Sequence, residues 1–168
     1  MTKDELKSIL EQHESWIKSI GGKRADLQGA DLRWANLQSA DLRWADLQSA
    51  NLQSADLRWA DLQSANLQSA DLQGANLRDA DLQGANLRDA DLQGADLRDA
   101  NIDYACLPLW CGSKKMKVDK RIAAQIAAHF CALDCDDADY QTARTAILEF
   151  AKTSHMGDEL GLVEERER

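Results

Sequence analysis

Seventeen alanines stand five residues apart from Ala25 to Ala105, and two positions after each comes a large aliphatic residue, Leu27 through Leu97 and then Ile102 and Leu107. The unit is A-(D/N)-L-x-x, and its period of five is hard to reconcile with ordinary secondary structure. On an α-helix, a five-residue step at about 100° per residue turns each leucine by roughly 140°, so the leucines wind round the axis and leave no apolar face. In one unbroken strand, side chains alternate with period two, so Leu27 and Leu32 point to opposite faces. What remains is a chain that runs extended for about three residues, with Ala25 and Leu27 on one side and Asp26 on the other, and then turns a corner before Ala30. Four such sides close a square coil. Successive coils then stack at about the 4.8 Å strand spacing with Ala and Leu pointing inward.

Sixteen full repeats, Ala25 to Tyr104, make about four coils. The alanine sites must be small because the interior is narrow, while each stacked leucine contributes about 1.5–3 kcal/mol when fully buried. Ala, Asp, Asn and Gly are poor strand formers, so each repeat draws its stability from its neighbours rather than from local propensity. The pattern places an all-β solenoid at 23–107, an amphipathic helical segment at 1–22 and a helical C-terminal segment at 108–168. Thr2 with Glu5 reads as a capping box. Leu6, Ile9, Leu10, His13, Trp16, Ile17 and Ile20 fall on one helical face, and Gly21-Gly22 supplies a stop. A helix there is expected to cap the open first coil, since an uncovered coil presents unpaired strand edges. After Pro108, Leu109 and Trp110 are expected to fold over the last coil. Helices are expected at 119–133, with Ile122, Ile126 and Phe130 four apart plus a row of alanines, and at about 137–152 through Ala143, Ala146, Ile147 and Phe150, followed by a charged tail at 158–168.

The repeats resemble the pentapeptide-repeat protein family, whose members form a right-handed quadrilateral β-helix. In that family's terms the leucine is the central inward residue, the alanine the second inward one, and the other three positions face solvent. Some relatives carry Phe at the central site, which this chain never does. The resemblance implies a non-enzymatic structural or interaction protein, of bacterial type, acting as a rigid acidic scaffold for protein contacts. The alternative it implies is a DNA mimic, as in the quinolone-resistance relatives that bind DNA gyrase.

Charge is concentrated on the solenoid. Residues 25–105 carry six Arg against fourteen Asp, whereas residues 1–24 sum to +1 and residues 106–168 to −2, within a net charge of −9. Such a surface argues against direct binding to nucleic acid or an anionic membrane and favours basic protein partners, with the chain a monomer or a homodimer. No secretion-signal pattern, glycosylation sequon or apolar run near eighteen residues occurs, so a cytoplasmic location with reduced thiols is expected.

The sharpest chemical grouping is Cys106 and Cys111 at the junction with His129, Cys131 and Cys135 beyond it. Its spacings, C-x4-C and C-x3-C, lack the C-x-x-C turn of a zinc knuckle. Reduced packing thiols, a disulfide and a zinc site all remain open. No nucleophile elbow, phosphate loop or metalloprotease helix is present, and Gly21-Gly22-Lys23 lacks the rest of a P-loop. No catalytic, cofactor-binding or metal residue and no cofactor is therefore assigned. His13 is expected to be a satisfied structural histidine, and the Asp residues to be solvated and without catalytic shifts. Trp34, Trp44 and Trp59 fall on different sides of the square and form no ladder. The reason is that residues 40–54 recur as 55–69, which copies three sides of a four-sided coil. Arg58, Arg78 and Arg98 do stack at twenty-residue intervals, with Asp79 and Asp99 beside the later two. Residues 70–99 are three near-identical decapeptides, a pattern that recent duplication and consensus engineering both produce.

Overall fold

A computed structural model of the chain describes residues 1–108, 116–131 and 138–154. It divides into two compact units, Met1–Lys117 and Val118–Arg168, so the boundary falls beyond Pro108.

In the first unit each Asp or Asn of the repeat forms a parallel bridge to the residue twenty positions on, as in Asp26 to Asp46, Asp41 to Asp61 and Asp81 to Asn101. The hydrogen bonds give the reason for the period. The N–H of each repeat Leu from Leu27 to Leu82 donates to the Asp or Asn carbonyl of the next coil, 2.7 Å for Leu42 to Asp61, and the Asp61 N–H donates back to the Ala40 carbonyl at 2.9 Å. Within each repeat, the next Ala N–H donates to the Leu carbonyl three residues before it, 3.0 Å for Ala45 to Leu42, which closes the corner as a turn. The fifth residue of every repeat, from Gly29 to Tyr104, has positive φ, including Trp34 at 54°, Ser64 at 55° and Asp89 at 58°. The Asp or Asn side chain holds the other end of the turn, its Oδ1 accepting the N–H two residues on, 3.1 Å for Gln48 to Asp46. That Asx geometry explains why poor strand formers occupy the bridge position.

The interior is the expected aliphatic ladder: Leu42 to Leu97 are fully buried, and the alanines from Ala45 to Ala100 are at most 1% exposed. Leu107 departs from the pattern and is only half-buried. The chain rejoins the stack at Lys117, which bridges Asp96 through Leu97 N–H to Lys117 O at 2.8 Å and Lys117 N–H to Ala95 O at 2.7 Å.

Helix α1 spans Lys3–Ile17 and begins with the capping box: Thr2 Oγ1 accepts the Glu5 N–H at 3.2 Å, and the Thr2 N–H donates to Glu5 Oε2 at 2.8 Å. It ends earlier than the sequence suggests. Lys18 is the C-cap and Ser19, at φ 55°, takes the left-handed position expected of a glycine. Ile20 therefore leaves the apolar face and is 74% exposed. Gly22 has another purpose: a Cβ there would lie 2.1 Å from the Gln12 carbonyl oxygen, so the chain passes against the helix where only glycine fits.

In the second unit, α2 (Lys120–Cys131) and α3 (Ala138–Ala151) pack on each other. Asp119 precedes α2 and caps it, its Oδ1 accepting the Ile122 N–H at 2.9 Å. Of the expected Ile122, Ile126 and Phe130, Ile122 is fully buried, Ile126 is 37% exposed, and the Phe130 side chain lies outside the described residues. The helices approach through small residues instead, with Ala128, Cys131 and Ala151 buried at the centre and Ile147 and Leu148 beside them. Phe150, one of the apolar positions named for the second helix, is 38% exposed. Among the described residues no helix is long and apolar enough to cross a membrane.

Candidate functional site

The outer surface of the solenoid follows a rule set by the fourth residue of each repeat. Where it is Arg after Asp, the guanidinium folds back on the carboxylate two residues earlier. Arg58 Nε and Nη2 lie 2.8 and 2.6 Å from Asp56 Oδ1 and Oδ2, and Asp31–Arg33, Asp41–Arg43 and Asp96–Arg98 repeat this geometry. Such bidentate pairing favours the charged carboxylate. Arg33 accordingly lowers Asp31 to about 2, and Asp41, Asp56 and Asp96 are lowered by their own arginines.

Where the fourth residue is Gln, three side chains reach a carboxylate of the next coil, Gln53 to Asp71 at 2.6 Å, Gln63 to Asp81 at 2.8 Å and Gln73 to Asp91 at 2.7 Å. Asn at the bridge position donates to the coil before, Asn66 to Asp46 at 3.1 Å and Asn101 to Asp81 at 3.0 Å. These amides relieve the repulsion that stacked carboxylates would otherwise suffer.

The Asp residues are thus not uniformly solvated, a correction to the expectation from sequence. Asp61 is half-buried between Asp41 and Asp81, and its pKa is raised, first by burial and then by those two carboxylates, against the lowering effect of Arg43 3.4 Å away. The expected Arg ladder is also rearranged. Arg58 and Arg98 pair with the Asp before them, and only Arg78, which follows Asn76, turns to Asp99 at 3.9 Å.

Trp34, Trp44 and Trp59 are 71%, 46% and 51% exposed, and each lies under the guanidinium of the preceding arginine, 5.4–5.6 Å from the ring centre. Trp44 meets α1, with its ring edge-on to Trp16 at 6.2 Å. Trp16 in turn stacks on His13 at 5.6 Å. His13 is fully buried, and its Nδ1 accepts the N–H of Ala25, the first residue of the array, at 3.0 Å. Nε2 therefore carries the hydrogen and, among the described residues, has no partner of good geometry, although the Arg43 backbone acts on the ring. Burial lowers its pKa, opposed chiefly by Asp41.

Between α1 and the first coil lies a cleft of about 980 Å3, with Leu6, Leu10 and Ile17 on the helix side and Leu32, Trp34 and Ala35 on the coil side.

Of the cysteine grouping, Cys106 is exposed on the solenoid and Cys131 is buried in the second unit, both as free thiols. Burial raises the Cys131 pKa, with Arg144 opposing, and Arg144 Nε donates to the Cys131 carbonyl at 2.7 Å. Cys111, Cys135, the His129 side chain, Leu109, Trp110 and the 158–168 tail lie outside the described residues. Among the described residues no group of His, Cys, Asp and Glu is arranged to hold a metal.

A stack of square coils with a twenty-residue ladder, an aliphatic interior and an Asx-held corner every five residues defines a parallel β-solenoid. The sequence profile of pentapeptide repeats matches in eight copies over residues 25–63, 40–79 and 75–108, which together span half of the chain. The chain belongs to the pentapeptide-repeat family, whose structures are right-handed quadrilateral β-helices. Similar solved structures include the pentapeptide-repeat protein Rfr23 from the cyanobacterium Cyanothece 51142, 43% identical over 56% of this chain and 60% of its own, TM-score 0.49. HetL from Nostoc sp. PCC 7120, a protein involved in heterocyst differentiation regulation, is 36% identical over 56% of this chain and 45% of its own, TM-score 0.44. A pentapeptide-repeat protein from the thylakoid lumen of Arabidopsis thaliana is 25% identical over 82% of this chain and 88% of its own, TM-score 0.49. This chain thus spans less than two thirds of the length of Rfr23 and HetL. No curated protein matches it.

Proposed function

We propose that this chain is a non-enzymatic interaction protein: an acidic scaffold of four coils, partly covered at its first coil by α1, that presents its faces or its C-terminal helices to a protein partner. The observation that carries this reading is the state of the surface carboxylates. Asp31, Asp41, Asp56 and Asp96 are held ionised by arginines two residues on, so they serve as fixed charge and geometry rather than as acids or bases. A cytoplasmic, bacterial setting and a monomeric or homodimeric state complete the proposal, with no direct contact to nucleic acid or membrane.

A second reading, the gyrase-binding DNA mimic, draws on one feature: the uninterrupted carboxylate column Asp41, Asp61 and Asp81. Against it, four coils at about 4.8 Å make a rod of only about 19 Å. Inhibition of gyrase supercoiling, titrated with protein at two salt concentrations, separates the two. Salt-sensitive inhibition that disappears when Asp41, Asp61 and Asp81 become Asn makes mimicry the function. If there is none, the partner is sought with residues 113–168 present and deleted, and loss of capture on deletion places the contact in the helices. Catalytic turnover by the purified chain would overturn both.

A further inference from the structure

Ladder hydrogen bonds are made at both edges of every inner coil, but the first coil has a coil on one side only. The Asn51 N–H reaches Ala30 O at 2.9 Å and the Asn51 carbonyl accepts from Leu32 at 2.7 Å, whereas the equivalent N–H and C=O of Asp31 and Asn36 have no hydrogen-bond partner among the described residues. Helix α1 covers this end only in part. It seats on Ala25 through His13 and on Trp44 through Trp16, and leaves Ala30, Ala35 and Ala40 half-buried while the alanines from Ala45 to Ala100 are at most 1% exposed. The uncovered part is the floor of the 980 Å3 cleft.

The charges along the cleft are uneven in one respect. Lys7 pairs with Glu11, Lys18 with Glu14, Arg33 with Asp31 and Arg43 with Asp41, but Lys3 has no carboxylate among the described residues. All four charged pairs are internal to the walls, so among the side-chain cations lining the cleft Lys3 is the one left to meet an entering carboxylate. Elsewhere on the array, where Asp outnumbers Arg by fourteen to six, the same carboxylate is repelled.

We propose that the cleft is a strand-acceptor site, taking an extended segment of a partner protein that pairs its backbone with the free edge at Asp31 or Asn36. Alternate side chains of that segment lie on Leu6, Leu10 and Leu32, and a carboxylate reaches Lys3. An open sheet edge beside apolar pockets is the general requirement for strand addition: main-chain hydrogen bonds supply affinity and alternate side chains supply selectivity. Each side of the square is extended for only about three residues, so the pairing is short and the apolar wall of α1 holds the rest of the segment. This proposal rests on the interaction-scaffold reading and assigns it a contact surface.

The test uses the full chain and the acetylated, C-terminally amidated heptapeptide TVTVTVD, followed by 15N–1H spectra. Saturable shifts at the Asp31, Leu32 and Asn36 amides are expected. N-methylation of the valines in the peptide should weaken binding by about tenfold or more, and Lys3→Glu in the protein by about fivefold, as expected for one lost backbone or charge-assisted hydrogen bond. Lys3 is exposed, so its variant should fold. Four results would each overturn the proposal: no shift at millimolar peptide, equal binding of the N-methylated peptide, shifts centred on another face such as that of Trp59, or concentration-dependent self-association that closes the cleft with a second copy. The titration reports on the cleft alone. Failure there with partner capture through residues 113–168 intact removes the site and spares the scaffold, whereas failure of capture as well removes both.

Discussion

Leu62 is the most informative residue to shorten. It is fully buried in the column of Leu42, Leu82 and Ile102, and its backbone is fixed on both sides: Leu62 N–H to Asp81 O at 2.7 Å, and the neighbouring Asp61 N–H to Ala40 O at 2.9 Å. Leu62→Ala removes three carbons, which at about 0.8 kcal/mol per buried methylene sets a floor near ~2.4 kcal/mol. A cavity term adds to this, because neighbouring coils locked by their ladders cannot slide inward. The total should reach the upper part of the ~2.7–5 kcal/mol range for buried Leu→Ala changes. Leu107→Ala removes the same atoms from a half-buried site at the end of the array and should cost about 1 kcal/mol. Gln63→Ala, one residue away and facing out, loses a single amide bond to Asp81 and should cost under ~1 kcal/mol. Urea unfolding followed by far-UV circular dichroism and tryptophan fluorescence, with m-values compared, measures all three. If Leu62→Ala falls within about 1 kcal/mol of Gln63→Ala, the inward and outward assignment and the rigidity of the ladder are both wrong.

Three further outcomes are expected. Gly22→Ala should detach or distort α1, since its Cβ would meet the Gln12 carbonyl at 2.1 Å, whereas Gly29→Ala, with nothing within 4 Å, should lose only the ~1 kcal/mol left-handed penalty; the tryptophan fluorescence change at Trp16 and Trp44 distinguishes them. His13 has a folded pKa below its ordinary value, so the unfolded chain binds the proton more tightly, and stability is full above about pH 6.5 and declines as pH falls through the window beneath it. Asp61 acts with the opposite sign, its raised pKa favouring the fold at the acid end of that range, so His13→Gln should flatten the pH 5–7 slope of the urea midpoint while Asp61→Asn should not. Ser69→Val places a β-branched residue at φ 57° and should cost about 1–2 kcal/mol on thermal melting, whereas Ser69→Gly should be neutral or slightly stabilising.

The interior of the solenoid was legible because one spacing carried it: a period of five that neither a helix nor a strand can satisfy forces corners, and the corners place Leu42 to Leu97 inside. The outside was less legible, because the pairing depends on geometry finer than spacing. Whether Arg folds back on its own Asp, as Arg58 does on Asp56, or turns to Asp99, as Arg78 does, follows from the Asp or Asn two residues earlier. That signal was present in the difference between A-D-L-R and A-N-L-R. Helix α1 misled at its end because Gly21-Gly22 reads as a stop signal, while Ser19 turns the chain first and Gly22 serves close approach. In α2 the row of alanines carries the contact with α3 through Ala128 and Ala151, whereas Ile126, read from its size and spacing, is exposed. The cleft beside the first coil has no sequence signature at all, since it arises from how little of a square end one helix can cover.

The corner every fifth residue has a consequence for how such a chain can change. Any insertion or deletion of one repeat keeps every leucine inside and every turn intact, yet advances all downstream surface residues by a quarter of the circumference. The fifteen residues 40–54, repeated at 55–69, show this in place: the Arg43–Trp44 pair sits on the side that meets α1, and its copy, Arg58–Trp59, sits on an adjacent side away from it. Packing is indifferent to that rotation and recognition is not. The interior thus behaves as a fixed spindle on which decorated quarter-turn segments can be dialled to new combinations, so a new binding face can arise by recombination of repeats without a single substitution in the core.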